Sequence, residues 1–155
     1  MYWGYHMTDT VVAESLAAAA ADVLETMFFS SVIGEAPVRA TPSADAVAAR
    51  LQFSGARSGA FALRLTEAAA QVIAANFLAE ETDEPSKPQV QEVVCELTNM
   101  MCGSVLSRLD RGAHFDLGQP AVVDAAEVAQ PEAVSRAFDI GEGEIAIFLS
   151  MDAQS

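Results

Sequence analysis

The sequence predicts an α+β fold: a mainly antiparallel sheet with two long helices and a shorter helix packed on one face. Two stretches, Thr8 to about Phe29 and Pro88 to Leu109, carry apolar residues at i, i+3 and i+4 over several turns. Other segments alternate apolar and polar residues, most clearly near the end of the chain. The order helix, strands, helix, helix, strands suits helices gathered on one face of an antiparallel sheet. With 155 residues and 52% hydrophobic content, a core can be buried without metals or disulfides.

Met1 to Met7, with Tyr2, Trp3, Tyr5 and His6, differs in character from the rest of the chain and is read as a leader or tag. Residues 8–155 are then expected to form a single domain. Thr8 and Asp9 are both suitable N-caps for the first helix, whose Val12, Leu16, Ala19, Val23 and Met27 form its apolar stripe. Gly34 and Pro37 are expected to terminate it. After Thr41-Pro42-Ser43, a strand is expected from Ala44 to Phe53, and after the small and polar residues of Gly55 to Gly59 a second from Ala60 to Leu65. Phe61, Leu63 and Leu65 share one face of that second strand, with Arg64 on the other.

Thr66 and Glu67 open a shorter helix through about Ala79. The run from Glu80 to Pro88 is acid-rich and holds two prolines, so it reads as a solvated loop, and Pro88 starts the second long helix. Past Asp110-Arg111-Gly112, extended segments are expected at Ala113 to Leu117, Pro120 to Val123, Ala133 to Ile140 and Glu144 to Asp152. A glycine-bearing turn, Asp139 to Gly143, joins the last two.

The balance of eight Lys and Arg against 22 Asp and Glu, a formal charge of -14, sets up a negative field that repels phosphate backbones and anionic lipid surfaces. Nucleic acid and membrane-surface partners are therefore not expected. The alanine-rich run from Val11 to Ala21 contains Glu14 and falls short of a membrane span. Cys95 and Cys102, seven residues apart on one helix, would have Cα atoms about 10.5 Å apart, too far for a disulfide. Two unpaired thiols without further soft ligands fit a reducing, cytoplasmic setting and receive no chemical role.

The helix from Pro88 to Leu109 organises the chain. At roughly 100° per residue, Val90, Val93, Val94, Leu97, Met100, Met101 and Val105 share one half of its wheel. Glu92, Glu96, Asn99, Gly103 and Ser107 fall in a narrow opposite sector. Glu96 and Asn99, at i and i+3, point the same way. Spacing alone leaves two readings open. In one, the acids and the amide face solvent while Gly103 packs under a neighbouring helix. In the other, Asn99 orients a water for attack on a phosphorus atom and Glu96 pairs with a cation on a phosphorylated partner. Gly103 would then permit close backbone approach, and Glu92 and Ser107 complete the partner-binding face. A serine or cysteine nucleophile set, a phosphate loop, a dinucleotide fingerprint and a His/Cys ligand cluster are all missing from the sequence.

The octet Glu96-Leu97-Thr98-Asn99-Met100-Met101-Cys102-Gly103 resembles the Glu-x-x-Asn-Met-x-x-Gly signature of the CheC/CheX/FliY group of chemotaxis phosphatases. Phe53-Ser54-Gly55 with Gly59 is similar to that family's glycine-punctuated hairpin. Pro120-Ala121-Val122-Val123 is similar to its Pro-x-Val-Val strand, although Asp124-Ala125 follow where the family often has glycine. The resemblance covers most of Asp9 to Met151. The first helix echoes the signature weakly, Val11 to Ala17 lying on Val93 to Asn99, but with Ala17 in place of the asparagine. A single complete motif makes the likeness one to CheX-type members.

The resemblance implies hydrolysis of the aspartyl phosphate of a CheY-like response regulator, with Asn99 positioning water and Glu96 contacting the regulator's lysine. It implies Mg2+ held by the regulator rather than by this chain, and a homodimer formed through sheet edges. The alternative is a non-catalytic dimeric docking or scaffold domain for a response regulator or a flagellar-switch component, using the same helix face.

Overall fold

The computed structural model describes residues 8–152, so the leader read in residues 1–7 lies outside the described residues. Helix α1 (Asp9–Met27) is capped by Thr8, whose side-chain oxygen accepts a hydrogen bond from the Val11 N–H at 3.2 Å. Its buried stripe is Val12, Leu16, Ala19, Ala20, Val23 and Leu24. The helix ends within two residues of the expected Phe29, but Gly34 and Pro37 are not what terminates it. The N–H groups of Phe28 and Ser30 both donate to the Leu24 carbonyl, at 3.2 and 2.9 Å. Between them Phe29 takes φ 53°, the left-handed conformation that ends many helices. Gly34 instead belongs to β1 (Gly34–Ala36), a short edge strand.

Strands β2 (Val47–Gly55) and β3 (Gly59–Leu65) form the expected antiparallel pair, in register from Val47 opposite Leu65 to Phe53 opposite Gly59. The first begins later than Ala44 because a turn intervenes, with the Ala46 N–H donating to the Ser43 carbonyl at 3.1 Å. Two glycines make the hairpin possible. Gly55 has φ 112°, which disfavours any L side chain, and a Cβ at Gly59 would overlap the Ser150 carbonyl and the Phe53 ring.

Helix α2 (Glu67–Phe77) is capped by Thr66, which accepts from the Ala69 N–H at 3.4 Å. Helix α3 (Lys87–Leu109) starts one residue before Pro88 because Ser86 and Gln89 form a reciprocal capping box: the Ser86 hydroxyl accepts from the Gln89 N–H at 3.3 Å, and the Gln89 side chain accepts from the Ser86 N–H at 2.8 Å. Next come β4 (Phe115–Leu117), β5 (Ala121–Val123), a one-turn 3-10 helix (Ala125–Glu127), β6 (Val134–Asp139) and β7 (Glu144–Met151). The sheet order is β1-β6-β7-β3-β2-β4, every pairing antiparallel, with β5 also paired to β2.

The helices lie on one face, as the sequence predicts. Ala49, Leu51, Phe53, Phe61, Leu63, Leu65, Ile145, Ile147 and Leu149 point into the main core with the buried stripes of all three helices. Arg136 ties α1 to the β1 end of the sheet, donating to Glu35 at 2.7 Å and to the Ala13 carbonyl at 3.1 Å. The opposite face is covered too, which the sequence reading of Arg64 did not anticipate. There Ala48, Ala62, Ala137, Ala146 and Phe148 pack with Ala125 and Val128 from the segment after β5. Asp124, one of the two residues that depart from the family pattern, begins this covering segment by accepting from the Ala126 N–H at 3.0 Å. Ala125, the other, is buried in it.

Candidate functional site

Helix α3 packs against α1, α2, β2 and β3. Val90, Val93, Val94, Leu97, Met101 and Val105 are buried as their wheel positions require, and Met100 is half-buried. Thr98, Cys102, Leu106 and Leu109 are buried as well. The buried arc is wider than a one-sided amphipathic helix needs because α1 and α2 both contact α3. Thr98 reconciles its hydroxyl with burial by donating to the Val94 carbonyl at 2.7 Å.

The narrow sector that remains is the candidate site. Glu92, Glu96 and Ser107 are exposed, and Asn99 and Gly103 are half-buried, so all five residues singled out from the sequence lie along the uncovered face of one helix. Glu96 and Asn99 stand ~4.5 Å apart along the axis. Among the described residues, the side-chain hydrogen bonds of α3 beyond its cap belong to Thr98, Ser104 and Arg108. The Glu96 carboxylate and the Asn99 carboxamide are engaged by no other described side chain.

Gly103 bears on one part of the first reading, its packing under a neighbouring helix. Among the described residues, a Cβ added there would meet nothing within 4 Å outside the helix itself, so packing under a neighbouring described helix does not account for the glycine. Glycine in a helix interior nonetheless costs about 1 kcal/mol relative to alanine.

The local charge is negative. Glu92 and Glu96 lie on the sector, while Arg108 near the helix end is turned to α1, bonding Asp22 at 3.2 Å and Ser104 at 3.4 Å. Both thiols stay protonated at neutral pH. Burial pushes Cys102 up to about 12, and burial, helped by the Glu92 charge, raises Cys95. Neither is a thiolate nucleophile. The free cysteines are unpaired, as their helical separation requires. Among the described residues, no group of three or more His, Cys, Asp or Glu converges as a metal-binding set.

On α1 the echo of the signature is incomplete in space as in sequence: Glu14 is exposed, but Ala17 offers a methyl where α3 offers the Asn99 amide. His114 stands just before β4, exposed and 3.0 Å from Asp116. What α3 presents is a carboxamide and a carboxylate with unused hydrogen-bonding capacity, suited to positioning a water and meeting a cation rather than to attacking a bond itself.

The sequence reading missed Arg64 as a residue of interest; its signal was the row of small residues, Ala48, Ala62 and Ala146, sharing its face of the sheet. No described helix is long and apolar enough to cross a membrane.

The chain is similar in structure to the chemotaxis protein CheX from Vibrio vulnificus, with TM-score 0.74 and 21% identity, covering 95% of this chain and 100% of that one. It is similar to CheX from Desulfovibrio desulfuricans, with TM-score 0.70, 20% identity, and 91% and 99% coverage. A CheX-CheY-BeF3-Mg2+ complex from Borrelia burgdorferi matches with TM-score 0.68, 19% identity, and 90% and 97% coverage. At these identities the likenesses establish the fold. No curated protein matches the sequence. The family model described as Chemotaxis phosphatase CheX matches residues 47–138, from the start of β2 through α3 into β6, which is more than half of the chain. The chain therefore belongs to the CheX family of chemotaxis phosphatases.

Proposed function

We propose that this protein hydrolyses the aspartyl phosphate of a CheY-like response regulator, using the exposed face of α3. The observation that carries the reading is the combination of Glu96 and Asn99, unengaged on the helix surface, with an open space above Gly103 one turn beyond. The Borrelia burgdorferi CheX complex, in which the partner is CheY with BeF3 and Mg2+, supports the choice of partner.

In this mechanism the regulator brings its own acyl phosphate, Mg2+ and lysine. Asn99 accepts from and donates to a water held in line with the phosphorus atom. As the water oxygen bonds to phosphorus, the bond to the aspartyl oxygen breaks, the carboxylate leaves with its electron pair, and the water proton passes to solvent or phosphate. Glu96 pairs with the regulator's lysine and sets the docking register. Gly103 lets the regulator approach the helix closely, and Glu92 and Ser107 contact it on either side. We further propose that residues 8–155 act as one domain and that two copies associate through sheet edges, which would cover exposed edge strands.

The test is phosphate release from a phosphorylated CheY-type regulator. Wild type should accelerate release, and Asn99→Ala should lower the acceleration by about 100-fold or more while binding the regulator nearly as well. Release by Asn99→Ala at the wild-type rate would remove the catalytic assignment. Docking without acceleration by the wild type would make the protein a scaffold domain instead.

A further inference from the structure

Arg64 lies on the sheet face opposite α3 and is only 5% exposed. One of its terminal nitrogens, Nη2, donates to the Arg39 carbonyl at 2.6 Å. The other, Nη1, is buried with no acceptor among the described residues. The guanidinium carbon sits 5.2 Å from the centre of the Phe148 ring. Among the described residues no carboxylate pairs with it. Glu144, the acid nearest in the sheet register, is held by Arg39 at 2.9 Å. A guanidinium taken from water with one neutral acceptor and an aromatic face is short of counter-charge.

Beside it is an open cavity of about 510 Å³, lying between this face of the sheet and the segment around Pro37 to Ala46. Arg39, Thr41, Ser43, Arg64, Thr66 and Glu144 supply its polar lining. Two guanidinium groups against one carboxylate make the lining cationic, in a chain whose formal charge is -14. The Thr66 hydroxyl is already occupied by the N–H groups of Ala69 and Glu144, and two Arg39 nitrogens by Glu144, which leaves Arg64 Nη1 and the Thr41 and Ser43 hydroxyls without side-chain partners among the described residues.

We propose that this cavity binds the carboxylate or phosphate group of a small molecule, with Arg64 as its buried counter-charge and Arg39 at its rim. A planar guanidinium matches the oxygens of such a group in geometry as well as charge, and low local dielectric strengthens the pairing. The site lies on the other side of the sheet from Glu96 and Asn99, so it stands or falls independently of the phosphatase reading.

The experiment titrates the whole protein with inorganic phosphate and, separately, with succinate, against chloride at equal ionic strength. The readouts are the Arg64 Nε–H resonance and the Tm. At least one of the two probes should shift the resonance saturably and raise the Tm, and chloride should do neither. Arg64→Met should abolish the Tm response. Should that variant not fold, Arg39→Gln, altered at the exposed rim, should weaken the same response about tenfold. An absent saturable response to both probes in the wild type, or an undiminished response in either variant, overturns the proposal. So does an Arg64 resonance that ignores both probes but moves with protein concentration, because the counter-charge is then an acidic side chain of a second copy.

Discussion

Asn99 and Gly103 lie one turn apart along one face of α3, and no described atom outside that helix would come within 4 Å of a Cβ at Gly103. The chain's own packing thus gives no reason for a glycine beside the amide. Gly103→Ala should therefore raise stability by about 0.5–1 kcal/mol, read as a higher urea midpoint at unchanged slope. The same methyl should weaken docking to a phosphorylated regulator roughly fivefold, through about 1 kcal/mol of steric conflict. A variant that is more stable and docks as well as wild type would show that no partner approaches there.

Glu96 is exposed and unpaired within the described residues, so reversing its charge should leave the fold almost untouched. Glu96→Lys should change stability by no more than about 0.5 kcal/mol. Its affinity for the regulator should fall about tenfold or more, and added salt should improve binding of the variant while weakening that of the wild type. Equal salt dependence in the two proteins would place the partner's cation elsewhere.

Leu97 lies between the two proposed functional residues and is fully buried in the main core. Leu97→Ala removes methyl groups from under the helix and should cost about 2–5 kcal/mol. Denaturation by urea measures this directly. A loss below about 1 kcal/mol would mean that α3 is held mainly by its flanking helices.

Cys102 predicts a pH dependence with a definite sign. Burial holds its thiol neutral, at about 12 against an ordinary value of 9.0. Between those two values the unfolded chain binds fewer protons at this position than the folded one, so stability falls as pH rises through the window. At pH 10 the cost is about 1.4 kcal/mol. Wild type should lose that much more stability between pH 8 and pH 10 than Cys102→Ala, in paired urea titrations. Identical losses in both would mean that the thiol ionises freely.

Most of the architecture was legible because it rests on local periodicity. The strict alternation of β7, the Thr8 and Thr66 caps and the long stripe of α3 each announce themselves within a few residues. The capping box of Ser86 and Gln89 was equally readable as a Ser-x-x-Gln pattern, but Pro88 drew the boundary past it. The end of α1 was legible to within two residues, but not the device that makes it, because Phe29 takes a left-handed conformation that glycine ordinarily supplies. Strand β1 was hidden for a different reason. It is short, and it is extended because Ile33 and its successors pair with the distant β6.

The candidate site divides in the same way. That Glu92, Glu96, Asn99, Gly103 and Ser107 share one helix face was legible in the residue order, because helical spacing is a local property of the backbone. The motif was legible there too, since the order of residues along one helix needs no partner to be read. That the described residues leave this face uncovered, that none of them outside α3 would meet a Cβ at Gly103, and that Arg64 is buried rather than solvated became visible only in the folded chain. Those outcomes depend on where α1, α2 and the segment after β5 settle against the sheet. Such long-range packing is set by the whole core, and no window of the sequence contains it.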